Sequence, residues 1–438
     1  MLKRIILLTL LVLFEQLGGD LLAQDNTKPE EINHSDVVAE TFISAFSHED
    51  SSNSRKELKR DISRVFKYAR MGKAQFSIAV YSLDSKEFVY KRNLKQALTP
   101  ASLTKLFTSY SAYSTLGPDY ELPTTIWCDD NNLEDNIIDG DLYFVGSGDA
   151  LFARKELDTL FSLIKKRGIK EIKGDVVIDQ SYFDGEYDRF HYSGDKDRVQ
   201  NLAPILPFSI SRKASTKSGN LIVRVLKKYG IKFSGKVERC ELPIYDHEKK
   251  LVKVAEFKRT INELVKITNK RSDNFVAEHI FKINGANNAR FPNDNSIGAE
   301  DLLYKLLDSL SIPFDGCEIH DGSGLSRRNL VTTESITLLL NAVSESDFSE
   351  SFQNTLSIAA QDGTLKGRMQ LGLSNDNFRG KTGTLRNVSG LAGFVESLDG
   401  ERFAIAMIFN GNNVKYYKQL EDDVIESVSG FFYFNAIN

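Results

Sequence analysis

Two stretches of alternating apolar and polar residues, one near each end of the chain, constrain the fold more than any other feature. Residues 75–82 and 87–90 alternate around a short polar turn, and residues 393–397 and 402–409 do the same. This pattern is typical of β-hairpins, and we expect the two hairpins to share one sheet. Residues 414–432 have helical spacing and would lie across that sheet. The outer parts of the chain therefore predict an antiparallel sheet flanked by helices.

The middle of the chain has a different pattern. Residues 140–146 and 174–179 are short strand-like segments entered through Gly-Asp turns, and residues 155–167 between them have the spacing of an amphipathic helix. We therefore expect an inserted mixed α/β domain, which makes the fold α/β and multi-domain. The predicted division is an outer domain of residues 56–121 and 255–438 around an insert of residues 122–254.

The N-terminus has the pattern of an export signal. A short basic region precedes the apolar residues 5–14, and a small residue follows at Ala23. We expect residues 1–23 to be a signal peptide that directs the chain to the periplasm or a similar extracytoplasmic space. An uncleaved N-terminal anchor is the alternative. Residues 24–55 are polar with little periodicity and are expected to form a flexible lead-in.

Charge and residue types exclude several classes of function. The 438 residues carry 56 basic and 60 acidic side chains, a net charge of -4, so no strong overall field favours nucleic acid or an anionic membrane. We expect no nucleic-acid partner, while peripheral membrane association and the oligomeric state stay open. Cys128, Cys240 and Cys317 are too few and scattered for a disulfide framework or a zinc site, and no His-Glu-x-x-His pair occurs. Neither a metal nor a cofactor is expected.

The segment TPASLTK, residues 99–105, places a serine three residues before a lysine at the start of a helix. Proline ends any preceding helix and residues 103–116 have helical spacing, so Ser102 lies at the N-terminus and Lys105 shares its face. A cation is disfavoured at this end of the helix dipole, which helps Lys105 act as a neutral base for a serine nucleophile. The alternative is that Ser102 only caps the helix and Lys105 is solvated.

Two further motifs could complete such a site. In RSDNF, residues 271–275, Ser272 and Asn274 can point into one cleft from a turn, the hydroxyl relaying protons and the amide holding a substrate amide. A lone Ser-x-Asn match would more often be a helix cap.

The segment RGKTGTL, residues 379–385, has the pattern of a strand. Lys381 offers a fixed positive charge, and the hydroxyls of Thr382 and Thr384 could donate to a carboxylate. Gly383 lacks the side chain that would block an extended peptide from pairing along the strand edge. A lone Lys-Thr-Gly is more often a turn, so the weight lies on the three motifs together.

The order Ser-x-x-Lys, Ser-Asp-Asn, Lys-Thr-Gly is the set found in β-lactamases and penicillin-binding proteins. With it, the chain resembles the D-alanyl-D-alanine carboxypeptidase/endopeptidase family of low-molecular-mass, class C penicillin-binding proteins, peptidase family S13. The long separation of the first two motifs supports this resemblance and speaks against a class A β-lactamase. Four more stretches resemble that family: residues 140–149, 179–185, 321–329 and 362–365.

The resemblance implies an exported serine DD-peptidase with a β-lactamase/transpeptidase-like domain. Ser102, deprotonated by Lys105, would attack the peptide bond after a D-alanine in a peptidoglycan stem peptide or cross-link. Ser272 would pass a proton to the leaving amine, and water would then release the acyl-enzyme. β-Lactams would be covalent inhibitors that acylate the same serine.

The resemblance also implies how substrate is held. Asn274 would orient the substrate amide, while Lys381, Thr382 and Thr384 would hold the terminal carboxylate. The oxyanion hole would consist of the backbone N–H groups of Ser102 and Thr384.

The sequence departs from the family in two places. Residues 202–210 lead almost directly into a helix predicted at 221–229, so a nested third domain is reduced or absent. Trp127 is the only tryptophan, so the family's tryptophan-rich segment is missing. Two alternatives to an active DD-peptidase stay open: a catalytically idle penicillin-binding sensor or wall-binding protein, and a serine β-lactamase. Carboxypeptidase and endopeptidase action are not separated, because both cleave after D-alanine.

Overall fold

The computed structural model describes residues 48–129, 133–134, 136–195, 202–213, 215–241, 251–291 and 293–432. Within this part of the chain, Arg55–Phe432 form one compact unit. The predicted signal peptide and most of the predicted lead-in lie outside the described residues.

The strands in chain order are β1 (Gln75–Ser82), β2 (Glu87–Arg92), β3 (Glu121–Asp129), β4 (Leu133–Glu134), β5 (Ile137–Ile138), β6 (Leu142–Val145), β7 (Glu171–Ile172), β8 (Val176–Asp179), β9 (Lys232–Phe233), β10 (Val237–Cys240), β11 (Leu251–Thr260), β12 (Ser357–Ile358), β13 (Arg379–Leu385), β14 (Val388–Glu396) and β15 (Arg402–Asn410). The helices are α1 (His48–Lys67), α2 (Thr104–Leu116), α3 (Arg154–Lys166), α4 (Arg189–Ser193), α5 (Ser215–Lys228), α6 (Ile261–Lys270), α7 (Asn274–Ala286), α8 (Asn295–Ser309), α9 (Thr333–Glu345), α10 (Ser349–Thr355) and α11 (Val414–Ser429).

A six-stranded antiparallel sheet contains both predicted hairpins, in the order β12-β13-β14-β15-β1-β2. Strand β1 pairs with β15 along its whole length, with Gln75 opposite Asn410 and Ser82 opposite Phe403. The prediction that the two ends of the chain share a sheet is therefore confirmed.

Helices cover both faces of this sheet. Successive residues of a strand point to opposite faces, so neighbouring residues of β1 contact different helices. Phe76 of β1 stacks on Phe66 of α1, with ring centroids 6.1 Å apart. The hydroxyl of the next residue, Ser77, forms a hydrogen bond with Thr333 of α9 on the opposite face. The sheet is therefore the middle layer of a helix–sheet–helix arrangement, as the pattern of the outer segments predicts.

The middle of the chain forms two further sheets, ordered β10-β8-β6-β3-β11 and β4-β5-β7-β9. The larger is mixed, since β8 runs parallel to both β6 and β10 whereas β3 is antiparallel to β6 and β11. Its apolar side packs with α3 and α5 in a core of its own, distinct from that of the outer segments. The predicted boundary at residues 254/255 falls inside β11, which pairs with β3 as far as Thr260. The exact domain bounds remain a proposal.

Local differences from the sequence predictions are small. Helix α1 begins at His48, inside the range predicted as a flexible lead-in, and α2 begins at Thr104 after a short 3-10 turn. Among the described residues, none of the helices combines the length and the apolar character needed to cross a membrane.

Candidate active site

The serine and lysine of the first motif are in contact. Ser102 lies in the 3-10 turn Ala101–Leu103 that immediately precedes α2, and Lys105 lies in the first turn of that helix. The Nζ of Lys105 donates to the Oγ of Ser102 at 2.9 Å. Lys105 is fully buried, whereas Ser102 is only partly buried and so keeps one side open to a ligand.

Two glycines hold the turn that carries Ser102. A Cβ atom at Gly383 of β13 would lie 2.6 Å from the carbonyl oxygen of Pro100 and 3.2 Å from the Cγ of Leu103. On another side, Gly324 has a φ of +78°, and a Cβ there would lie 2.0 Å from the carbonyl oxygen of Ala101. The turn is thus packed closely against both β13 and the segment around Gly324. The sequence predicts that Gly383 makes room for a substrate peptide. In the structure the close packing against Pro100 and Leu103 already requires glycine at this position.

Burial makes a larger fraction of Lys105 available as a neutral base near neutral pH than of an ordinary lysine. Desolvation lowers the pKa of Lys105 to about 8, although Asp321, Glu278 and Asp273 act in the opposite direction. The sequence predicts the helix dipole as the cause of this lowered pKa, but burial is the main cause in the structure. Near neutral pH a useful fraction of the amine is therefore neutral and able to accept a proton.

Lys105 also contacts the second motif. Its Nζ donates to the Oδ1 of Asn274 at 2.7 Å and to the carbonyl oxygen of Ser323. Asp273 caps α7, since its Oδ1 accepts from the N–H of Val276 at 3.2 Å. The cap fixes the residues on either side of it, so Asn274 begins the helix and points to Lys105.

Ser272, on the other side of the cap, contacts the third motif. Its φ of +54° lies in the left-handed region, which is unusual for a residue other than glycine. Its Oγ accepts a hydrogen bond from the Nζ of Lys381 at 2.8 Å. The three motifs predicted from the sequence are therefore joined by direct hydrogen bonds into one cluster.

Lys381 is fully buried on β13, and in the described part of the chain no carboxylate contributes to the shift of its pKa. Burial, and second the nearby charge of Lys105, lower the pKa of Lys381 well below its ordinary value. Its Nζ donates to Ser272 and to the carbonyl oxygen of Thr382 at 2.8 Å. The sequence predicts a fixed positive charge here, whereas the structure makes the charge conditional. A bound anion would supply the missing counter-charge and raise the pKa again.

The edge of β13 beside this cluster is open. Strand β12 pairs only with Arg379 and Gly380, so the outer edge of residues 381–385 faces no strand in the described part of the chain. Thr384 is exposed on this segment. The hydroxyl of Thr382 donates to the hydroxyl of Thr364 at 2.8 Å, a contact that the sequence does not reveal. An extended peptide could pair with this edge, as peptides do in strand addition.

A buried carboxylate holds the loop whose backbone contacts Lys105. Glu278 on α7 accepts from the backbone N–H of Ser323 at 2.9 Å and of Gly322 at 3.2 Å. It also accepts from the hydroxyl of Tyr192 at 2.7 Å. Burial, followed by the charge of Asp321, raises the pKa of Glu278 to about 7. The sequence alone indicates no role for Glu278, whose signal is an acidic residue in a helix that is mostly apolar.

A second buried carboxylate, Asp321, fixes the same loop. Its two oxygens accept from the backbone N–H groups of Gly324 and Ser326, each at 2.8 Å. The Nη1 of Arg189 donates to it at 3.0 Å and to Asp195 at 2.6 Å. Because Arg189, Asp195 and Tyr192 all belong to the predicted insert, that insert helps to build the support of this cluster.

In the described residues no group of three or more histidine, cysteine, aspartate or glutamate side chains is placed to hold a metal ion.

Comparisons with known proteins show the family to which this chain belongs. The sequence profile of the D-Ala-D-Ala carboxypeptidase 3 (S13) family matches residues 58–214 and 206–428. A D-alanyl-D-alanine carboxypeptidase of Haemophilus influenzae is 24% identical over 409 residues, which is 75% of this chain and 84% of the relative. A D-alanyl-D-alanine carboxypeptidase of an Actinomadura species is 23% identical over 453 residues, 83% of each chain.

Solved structures show the same fold. The crystal structure of penicillin-binding protein 4 from Haemophilus influenzae superimposes with a TM-score of 0.74 at 20% identity, covering 84% of this chain and 99% of the other. A structure of that protein complexed with a β-lactam gives a TM-score of 0.68 at 22% identity, with the same coverage.

Proposed function

Because this chain belongs to the D-Ala-D-Ala carboxypeptidase 3 (S13) family, and is thus a penicillin-binding serine DD-peptidase, we propose that Ser102 is its nucleophile and Lys105 its general base. The observation that carries this proposal is the 2.9 Å hydrogen bond between the Nζ of Lys105 and the Oγ of Ser102. It joins a partly exposed hydroxyl to a buried amine whose pKa is about 8. Lys105 would take the hydroxyl proton as the Ser102 Oγ attacks the carbonyl carbon of the D-alanine that precedes the scissile C–N bond.

The second half of acylation falls to Ser272. As the peptide C–N bond breaks, the leaving nitrogen needs a proton, and Ser272 would supply it while receiving one through its hydrogen-bonded neighbours. Its 2.8 Å contact with Lys381 supports this role, because the ammonium of Lys381, favoured once a substrate carboxylate binds, assists the loss of the hydroxyl proton. Water would then attack the acyl-enzyme, with Lys105 again accepting a proton.

Substrate would bind along the open edge of β13. The terminal carboxylate would lie at Lys381 with the hydroxyls of Thr382 and Thr384, and Asn274 would hold the amide on the acyl side. The lowered pKa of Lys381 supports an anion site, since a buried lysine without an acidic neighbour gains most from a bound carboxylate. The backbone N–H groups of Ser102 and Thr384 would form the oxyanion hole.

The substrates would be peptidoglycan stem peptides or cross-links, and β-lactams would acylate Ser102. The Haemophilus and Actinomadura relatives are named D-alanyl-D-alanine carboxypeptidases, which supports the same substrate class here. Export through residues 1–23 to the periplasm belongs to this proposal, as does the domain division around residues 122–254.

Intact-protein mass spectrometry after brief exposure to penicillin tests the proposal. We expect one covalent adduct that persists for hours, is lost in Ser102→Ala and is kept in Ser162→Ala. Ser162 is a matched control, because Lys165 follows it at the same spacing but, within the described residues, the hydroxyl of Ser162 donates to the carbonyl oxygen of Thr159 and not to a lysine. An adduct that forms in Ser102→Ala would refute the assignment.

The lifetime of the adduct separates the alternatives. Rapid release of hydrolysed penicillin would indicate a β-lactamase. A stable adduct without release of D-alanine from a wall peptide would indicate an idle sensor.

A further inference from the structure

The sequence has a local excess of positive charge that its overall composition conceals. Residues 55–73 contain eight lysine and arginine residues and two acidic ones, Glu57 and Asp61, whereas the whole chain has a net charge of -4. These residues form most of α1 and the segment that leads into β1. The positive charge is therefore concentrated in one short part of a slightly acidic protein.

Helix α1 turns its apolar residues inward. Leu58, Ile62 and Phe66 follow helical spacing and are 2%, 0% and 7% exposed. Lys59 and Lys67, by contrast, are exposed to solvent. Because these apolar side chains are already packed in the core, residues 54–67, whose side chains the structure describes, have no apolar face left to insert into lipid. What it presents outward is charge.

Carboxylates neutralise only part of that charge. Arg55 forms ion pairs with Glu87 and Glu401, each at 3.2 Å, and Arg64 pairs with Asp61 at 2.8 Å. Six exposed cations on or beside α1 have no carboxylate within ion-pair distance in the described residues, and we call them the basic surface: Lys59, Arg60, Lys67, Arg70, Lys73 and Arg92.

The arrangement of the basic surface fits an extended anion rather than a small one. Four of its cations line a depression of about 920 Å³ together with Tyr68 and Tyr90. From Lys59 to Lys67 the helix rises about 12 Å, at roughly 1.5 Å per residue, and the cations continue beyond its end. Tyr68 is 78% exposed, and exposed tyrosines are favoured at membrane–water interfaces.

We propose that the basic surface binds the phosphate headgroups of anionic lipid membranes. Each basic side chain near such a surface adds an attraction that salt screens within a Debye length. With no apolar face to insert, the association is peripheral, reversible and dependent on ionic strength. It is independent of the catalytic cluster and goes beyond the proposed function.

Flotation with lipid vesicles tests the proposal on the predicted mature chain, which starts at Gln24. The vesicles contain phosphatidylcholine with or without one quarter phosphatidylglycerol, at 50 and 500 mM NaCl. The test variant carries Lys59→Gln, Arg60→Gln, Lys67→Gln and Arg70→Gln. The control variant loses the same charge at four scattered exposed lysines: Lys155→Gln, Lys213→Gln, Lys227→Gln and Lys266→Gln. Thermal melting checks that all three proteins are folded.

We expect binding to the anionic vesicles only, at low salt only. One basic residue contributes about fivefold to partitioning, so the test variant should bind at least about 50-fold more weakly. The control variant should keep most of the binding. Equal binding to neutral vesicles, or equal loss in both variants, would overturn the proposal. Absence of vesicle binding together with charge-dependent binding to insoluble peptidoglycan would replace the membrane with a wall polymer.

Discussion

The carboxylate of Glu278 accepts a hydrogen bond from the backbone N–H of Ser323 at 2.9 Å, and the carbonyl oxygen of the same Ser323 accepts from the Nζ of Lys105. One residue thus connects a buried acid on α7 to the proposed general base. Since Lys105 must lie within reach of Ser102, any movement of the Ser323 carbonyl moves the base as well. We therefore expect Glu278 to position Lys105 for acylation through Ser323.

Glu278→Gln should slow acylation by penicillin about 10- to 100-fold, because a small displacement of a catalytic group has an effect of this size. The new amide N–H₂ would oppose one of the three donors that Glu278 now accepts, lowering the free energy of unfolding by about 1–3 kcal/mol. Removing the negative charge also lowers the pKa of Lys105, so the acid limb of the pH profile should move to lower pH. Stopped-flow acylation between pH 6 and 10 measures the rate of acylation and the position of the acid limb. Glu350→Gln, at an exposed residue, should change neither the rate nor the acid limb. An unshifted acid limb in Glu278→Gln would argue for a merely structural role.

The wild-type pH profile follows from the same environment. Only neutral Lys105 can accept a proton, and burial lowers its pKa to about 8. The second-order constant of acylation should therefore rise about tenfold per pH unit below pH 8 and flatten above it. Lys105→Arg should abolish this limb together with most of the activity, since a guanidinium stays protonated. A limb that ends near pH 10 would show that Lys105 has an ordinary pKa in solution.

Local patterns were sufficient to predict the hairpins, several of the helices and the three motifs. Alternation and helical spacing depend on a few neighbouring residues, so 75–82 and 402–409 were assigned correctly as strands. The similar hairpin patterns at the two ends of the chain predict the shared sheet, which the pairing of β1 with β15 confirms. The support of the site could not be predicted in this way. Glu278 gains its role only when the loop of Ser323 packs on α7.

Gly383 illustrates the same limit, because its main neighbour is almost three hundred positions away in the chain. Gly383→Ala would place a methyl group 2.6 Å from the carbonyl oxygen of Pro100. Either β13 or the turn that carries Ser102 must move, which should cost about 1–3 kcal/mol of stability and slow acylation as well. Urea unfolding and penicillin acylation measure the two effects. Gly367→Ala is the matched control, since a Cβ there meets nothing within 4 Å; equal behaviour of the two variants would mean that the close approach is not maintained in solution.

Carboxylate binding should be coupled to proton uptake at Lys381. In the empty site burial and Lys105 hold the pKa of Lys381 well below its ordinary value. A bound carboxylate favours the ammonium and raises that pKa, so protons are taken up wherever the pH lies between the two values. Calorimetry with Ser102→Ala, which cannot be acylated, and a D-Ala-D-Ala peptide in buffers of different ionisation enthalpy measures the uptake. We expect up to about one proton per peptide at alkaline pH. The uptake should vanish in the double variant that carries both Ser102→Ala and Lys381→Gln. Binding heats that are independent of the buffer at every pH would contradict the prediction.

Tyr192 links the insert to the catalytic support, and its contribution should depend on pH. Its hydroxyl donates to Glu278 at 2.7 Å, which stabilises the charged form of that carboxylate. Because burial raises the pKa of Glu278 to about 7, above its ordinary value of 4.5, the folded state favours the protonated acid. Any stability gained from that preference is lost as the pH rises through 7.

Tyr192→Phe keeps the ring over Lys282 but removes the donor that the carboxylate needs most when it is charged. We therefore expect a loss of about 1–3 kcal/mol at pH 8.5 and a clearly smaller loss at pH 6, measured by urea unfolding. Tyr68→Phe, at a side chain that is 78% exposed, should change stability at neither pH. Equal losses for Tyr192→Phe at both pH values would mean that the hydroxyl supports packing rather than the charge on Glu278. A larger loss at pH 6 would reverse the sign of the argument.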